Sequence, residues 1–299
     1  MIRFLKNAEI DREAWDYCIS NSRQNLIYGL SWYLDIVSPG WCGLVDNGYS
    51  TVMPLPVKIK YGFPYIIQPI YTQQLGIFSG KNLPAEEIKD FMDAIPQQYK
   101  YIALNLNFNN DGSAKGLSVR ENNNFELSLE KNYESIASAF SANTRRNLQK
   151  AKDLKIWFDG SLEELLQMKT ENTGINRKRI PTQKIQEFTR AVMERGAGFI
   201  CSASAEGKTC AMVFFLHHKE RIYYLIPVSN STGKEKKAMF AIADRIIHKF
   251  AGNAKILDFE GSNIPGIARF FEGFGAVNRP YPALKINRLP FPLNQFRKF

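Results

Sequence analysis

The strand-like stretch "AKILDFEGS" ends in two acids, Asp258 and Glu260. Side chains alternate along a strand, so Ile256, Asp258 and Glu260 are expected on one face and Leu257 and Phe259 on the other. With the apolar pair packed on helices, both acids would line the opposite surface or a cleft. Two carboxylates held close push one pKa up, which suits a general base for an ammonium nucleophile. Glu260, nearer the strand end, is the expected base, and Asp258 is expected to bind or orient substrate. The plainer alternative has both acids capping the next helix or pairing with basic neighbours.

Three other places carry chemistry-bearing residues. In "VSNSTGKEKKAMF", Ser229 and Gly233 precede a helix start crowded by Lys234, Lys236 and Lys237. Backbone amides and cations at a helix N-terminus bind phosphate, although the glycine spacing is not that of a Walker loop. In "NTRRNLQKAK", Arg145, Gln149 and Lys152 recur at helical spacing with Arg146 and Lys150 beside them. That face suits phosphate or carboxylate, or it is simply solvated. In "QPIYTQQLG", Tyr71, Gln73 and Gln74 interrupt an apolar run. They could line an acceptor groove between the halves or bond backbone at a sheet edge.

Other chemistries find little support. The four cysteines, Cys18, Cys42, Cys201 and Cys210, form no CxxC pair and have no histidine at ligand spacing, so reduced structural thiols and no metal are expected. His217 and His218 are adjacent on a strand and point apart. No Ser-His-Asp or Cys-His pattern stands out, and no RNA-reading module with interleaved aromatics is present. The net charge of +10 favours an anionic partner. Without a long apolar run or a signal-peptide core, a cytoplasmic protein with no transmembrane segment is expected.

The elements that must position these residues fall into two series. The first half reads as strand, helices, a β-rich run with an Asn47-Gly48 hairpin signal, the helix "PAEEIKDFMDAI" and the strand "YKYIALNLNF". The polar segment Asn109 to Asn124 reads as a loop or linker. The second half has a strand, several helices, a three-stranded meander from Ala197 to Ser229, a helix, the strand bearing Asp258, a short aromatic helix and a closing strand. Element order repeats between the halves, although sequence does not. The expected fold class is mixed α/β, with units at 1–124 and 125–299, each a mainly antiparallel sheet flanked by helices.

The meander, helix, strand, helix and strand order of the second half resembles the GNAT N-acyltransferase fold. With "TRRNLQKA" and the "DFEGS…FFEGFGA" ending, the chain is similar to tandem-GNAT, Fem-type proteins. The resemblance covers most of the chain in element order, on short motifs. It implies a wedge between "RIYYLIPVS" and "KILDFEGS" where an acyl donor enters, with the cleft in the second unit. It implies that Ser229, Gly233, Lys234, Lys236 and Lys237 hold a CoA pyrophosphate. Tyr223 and Tyr224 point opposite ways on the wedge strand, and Tyr224 is assigned to protonate the leaving thiol. Fem-type sequences place a lysine where Phe271 stands, and only Gly233 remains of a paired-glycine loop. The expected activity is acyl transfer from acyl-CoA, acetyl-CoA included, to an amine by direct attack. The alternatives are aminoacyl-tRNA-dependent peptidyl transfer, with charged tRNA as partner, and a non-catalytic binding protein on the same fold.

Overall fold

The computed structural model describes residues 1–110, 118–172 and 180–291. The chain divides into two compact units, Met1–Asn123 with Pro280–Phe299, and Asn124–Arg279. The closing strand, expected in the second half, therefore belongs to the first unit.

The first unit contains β1 (Arg3–Leu5), α1 (Arg12–Asn21), α2 (Ser31–Val37), β2 (Cys42–Val45), β3 (Thr51–Leu55), β4 (Val57–Lys60) and β5 (Phe63–Ile67). β6 (Phe78–Ser79), α3 (Ala85–Asp93), β7 (Tyr101–Asn105) and β8 (Ser118–Asn122) follow, and the strand Tyr281–Asn287, β16 in chain order, completes it. β1-β2-β3-β6 form an antiparallel sheet, and β4-β5-β7-β16-β8 form a second sheet whose one parallel pair is β5–β7. Asp11 caps α1 through the Glu13 and Ala14 amides, and Trp15 of that helix is fully buried against Trp41.

β8 lies inside the Asn-rich segment expected to be a loop. Its five residues pair with β16, from Tyr281↔Asn122 to Lys285↔Ser118. A strand held by backbone bonds to a distant partner needs no apolar alternation of its own, so local sequence did not reveal it. The same ladder explains the correction at the C-terminus: β16 finds unpaired edges on β7 and β8, and so leaves the second half.

The second unit is built on one seven-stranded sheet in the order β10-β11-β12-β13-β14-β9-β15. Its strands are β9 (Phe125–Ser128), β10 (Lys155–Phe158), β11 (Gly198–Ala205), β12 (Lys208–His218), β13 (Arg221–Ser229), β14 (Ile256–Asp258) and β15 (Val277–Asn278). Its helices are α4 (Tyr133–Ser138), α5 (Ala142–Lys150), α6 (Leu162–Asn172), α7 (Thr182–Glu194), α8 (Ser231–Glu235), α9 (Ala238–Phe250) and α10 (Pro265–Glu272). All its pairings are antiparallel except β13–β14. Alternation along β12 and β13 divides the core. Val213, Phe215, Ile222 and Tyr224 join a cluster with Ile242, Ile246 and Phe274 from the α9 and α10 side. On the other face, Phe214 meets Phe188 of α7 at 6.3 Å between ring centroids.

Candidate functional site

β13 and β14 run parallel for only three register pairs, Arg221↔Ile256, Ile222↔Leu257 and Tyr223↔Asp258. β14 ends there, while β13 continues to Ser229 bonded only to β12. The parallel pair therefore parts after Tyr223 and Asp258, at the place the sequence pointed to. A bulge between Phe214 and Phe215 leaves Leu225 as the extra residue of β13, which adds local twist where the strands separate.

The two acids do not share a face. Alternation holds only while the chain stays extended, and Glu260 has left the strand with φ of 64°. Asp258 is fully buried. Its Oδ2 accepts from Arg221 Nη1 at 2.7 Å, and its Oδ1 accepts the Glu260 amide at 2.9 Å. The same Nη1 donates to Glu126 Oε1 at 2.6 Å. Glu126 lies opposite Asp258 across the β14–β9 ladder. The like-charged neighbour of Asp258 is thus Glu126, which sequence reasoning missed. Burial pushes the Asp258 carboxyl upward; the Arg221 guanidinium holds it back and Glu126 adds to the rise. Burial works against the Arg221 charge, but Asp258, Tyr223 and Glu126 overcome it and keep the guanidinium protonated. Asp258 is accordingly a partner for Arg221, which matches the alternative of pairing with a basic neighbour; the leading expectation had it bind or orient substrate. The one signal for this in the sequence is polar: Glu126 interrupts an apolar strand, and Arg221 opens one.

Glu260 is only partly exposed. Burial alone pushes its carboxyl up to about 8. That shift brings its ionisation close to neutrality, so it is chemically poised to take up and release a proton. Its rise comes from desolvation rather than from a second carboxylate.

The other face of the opening is filled with aromatic rings. Phe259 stacks on Phe271 at 4.8 Å, Phe240 meets Phe270 edge-on at 4.7 Å, and Tyr224 lies 5.8 Å from Phe259. Tyr224 is buried in this cluster and its hydroxyl donates to Met239 Sδ at 3.0 Å. Burial pushes the phenol upward. A phenol enclosed by phenylalanines and bonded to a thioether is a core group, which corrects its assignment as proton donor. Phe271, standing where a lysine was expected, is likewise core.

The segment expected to hold phosphate begins at half-buried Ser229 and leads through α8 into α9. Gly233 is buried, and its amide donates to Asn230 Oδ1 at 2.9 Å. A Cβ at this position would stand 2.2 Å from the Cys210 carbonyl oxygen. Close packing on β12 therefore explains the glycine, and its amide is already committed within the turn. Lys234 and Lys236 are exposed, and Lys237 sits in the left-handed region at φ 60° as α9 begins. No side chain caps this 13-residue helix.

The remaining candidates are dispersed. Arg145 donates through Nε to the Phe140 carbonyl at 2.9 Å and through Nη2 to that of Ser138 at 3.2 Å. It closes the C-terminal end of α4, which is why the fork is spent on backbone instead of a ligand. Arg146 is exposed on α5. Just beyond that helix, Lys152 lines a cavity of about 250 Å³ with Asp244, Arg245 and His248 of α9. Asp244 Oδ1 there accepts the Tyr133 hydroxyl at 2.7 Å. In the first unit Tyr71 is in the left-handed region at φ 55°, and its carbonyl accepts the Tyr33 hydroxyl. Gln74 is buried, accepting the Phe108 amide at 3.1 Å and donating to Gln73 Oε1 at 2.9 Å. Gln74 thus fastens its own unit's backbone, the alternative to groove lining. Burial keeps all four cysteine thiols protonated by raising their pKa values.

Among solved structures the chain is similar to FemX, at 12% identity over 96% of this chain and 98% of that one, with a TM-score of 0.69. It is similar to L-PGS from Bacillus licheniformis at 13% identity, covering 95% and 94% of the two chains with a TM-score of 0.57. It is also similar to a tandem GNAT protein from the clavulanic acid biosynthesis pathway, at 10% identity over 97% and 99%, with a TM-score of 0.59. No protein-family model matches the sequence, nor does any curated protein. The fold is a tandem GNAT-like one of the Fem type.

Proposed function

We propose that the protein is an N-acyltransferase that moves an acyl group from a carrier onto an amine where β13 and β14 part. The observation that carries this reading is Glu260, a carboxyl raised by burial to about 8 beside that opening. A carboxylate of such basicity accepts a proton from an ammonium group far more readily than an ordinary one.

Glu260 takes one proton from the acceptor ammonium. The freed nitrogen lone pair attacks the acyl carbonyl carbon, a C–N bond forms, and the C–S bond of the thioester breaks with its electron pair on sulfur. The second proton lost by nitrogen passes to the thiolate or to solvent. A thiolate leaves without an acid because its conjugate thiol has a pKa of about 8.5, which accommodates a Tyr224 buried in the core. Arg221, Asp258 and Glu126 hold β13, β14 and β9 together at the point of divergence and fix the position of Glu260 through its amide.

Acyl-CoA is the first donor proposed. Lys234, Lys236 and Lys237 lie in the segment leading into the uncapped start of α9, where cations and backbone amides together favour phosphate. An aminoacyl-tRNA donor is the second reading, favoured by a Gly233 amide already bonded to Asn230. Calorimetry with acetyl-CoA at low salt distinguishes them. Binding weakened about tenfold by the triple change Lys234→Ser/Lys236→Ser/Lys237→Ser supports the first, at roughly half a kcal/mol per exposed charge. Absence of heat, with charged tRNA retained on filters, selects the second. Thiol release in the presence of an amine panel tests catalysis itself; release undiminished in Glu260→Gln sinks the base assignment, and binding without release leaves a non-catalytic receptor on this fold.

A further inference from the structure

β4 and β5 pair from Val57↔Ile66 to Lys60↔Phe63 and are joined by Tyr61 and Gly62, at φ of 51° and 79°. Two left-handed residues in a two-residue connection make a tight hairpin turn. β5 touches β7 only at Ile66 and Ile67, and β4 is the edge of its sheet. Residues 58–65 therefore form a two-stranded finger, with no third strand beside it among the described residues.

The finger ends in apolar side chains. Ile59 is 73% exposed, Tyr61 87% and Phe63 69%. A free two-stranded ribbon gains little from such groups, and in water they are a liability for solubility. Basic residues alternate with them: "VKIKYGFPYII" contains Lys58 and Lys60 and no acid. The Lys60 ammonium lies 5.3 Å over the Tyr61 ring.

We infer that this hairpin inserts its tip into the interface of an anionic lipid bilayer. A tip of three side chains offers far less than the roughly 800 Å² per partner of a stable protein interface, whereas a bilayer receives a wedge of any outline. The phenol of Tyr61 suits the headgroup level, with an apolar ring and a polar end. Exposed Lys60 carries an apolar stem and can place its ammonium group among anionic headgroups. The chain's net charge of +10 adds attraction to the same surface. No helix among the described residues is long and apolar enough to cross a membrane, so this contact is interfacial.

Co-sedimentation of the full chain with vesicles of phosphatidylcholine, alone or mixed with phosphatidylserine, tests the inference. The chain is expected to bind the phosphatidylserine vesicles, and less at high salt. Tyr61→Ser/Phe63→Ser should lower partitioning by about tenfold or more, as expected for removing two inserted rings, with an unchanged unfolding midpoint. Lys60→Ser should lower it about fivefold, the value of one cation near an anionic surface. Phe63→Trp should show a blue-shifted emission on the same vesicles. The inference is overturned if the unaltered chain does not bind phosphatidylserine vesicles, or if the double variant binds as well as the parent. It is equally overturned if the tip variants abolish a concentration-dependent self-association in place of vesicle binding, which would make the occupant a second copy of the chain.

Discussion

Glu260→Gln should make the protein more stable in mildly alkaline solution and leave its stability near pH 5 almost unchanged. The carboxyl ionises at an ordinary value of 4.5 when solvated and at about 8 in the fold. Its folded pKa lies above its unfolded one, so the folded state binds the proton more tightly. Stability associated with this group is therefore greatest below pH 4.5 and is lost as pH rises towards 8. Each pH unit of that interval costs about 1.4 kcal/mol, and the whole amounts to roughly 4 to 5 kcal/mol as an upper bound. Water reaches this partly exposed side chain, which reduces the expected loss to roughly 2 to 3 kcal/mol. The amide is nearly isosteric and does not ionise, so the variant escapes the penalty. Urea unfolding of both proteins at pH 5, 6, 7 and 8 measures it directly. The stability difference should grow steadily with pH while the m-values agree. A difference that is flat across this range, or one that grows as pH falls, would refute a desolvated carboxyl. Acyl transfer by the same variant should fall about 10²- to 10⁴-fold, the usual loss of a general base.

Arg221→Met should destabilise the fold by about 3 to 5 kcal/mol, because Asp258 and Glu126 lose their shared cation; denaturant titration reads this, and adding Asp258→Asn should recover part of it. Gly233→Ala should cost about 1 to 3 kcal/mol in the same assay, because its methyl group meets the Cys210 carbonyl oxygen; an unchanged midpoint would show that the turn yields. Tyr224→Phe should lose at most about 1 kcal/mol with its single bond to sulfur, and keep its rate within a few-fold; a hundredfold slower reaction in a stopped-flow or thiol-release assay would restore it as an acid.

Several parts of the site were legible because they depend on neighbours in sequence. The meander from β11 to β13, the helix α9 and the strand with Asp258 follow from apolar periodicity and turn residues. The opposite orientation of Tyr223 and Tyr224 follows from strand geometry alone. That both are core does not: Tyr223 is fully buried, and Tyr224 is enclosed by Phe259, Phe270 and Phe271 arriving from another part of the chain. The pairing of Asp258 was hidden for the same reason. Arg221 comes from an earlier strand and Glu126 from the first strand of the unit, inserted between β14 and β15.

By itself the sequence determined where strands and helices alternate, which positions seek burial, and that two carboxylates stand where an apolar strand runs out. Those properties reside in consecutive residues, through backbone preference and the spacing of apolar side chains. Only the tertiary structure decided that Asp258 serves Arg221, that Glu260 turns away at φ 64° and is desolvated, and that β16 completes the first unit. Desolvation and strand pairing are long-range: each is set by groups that chain folding, and no local pattern, brings alongside.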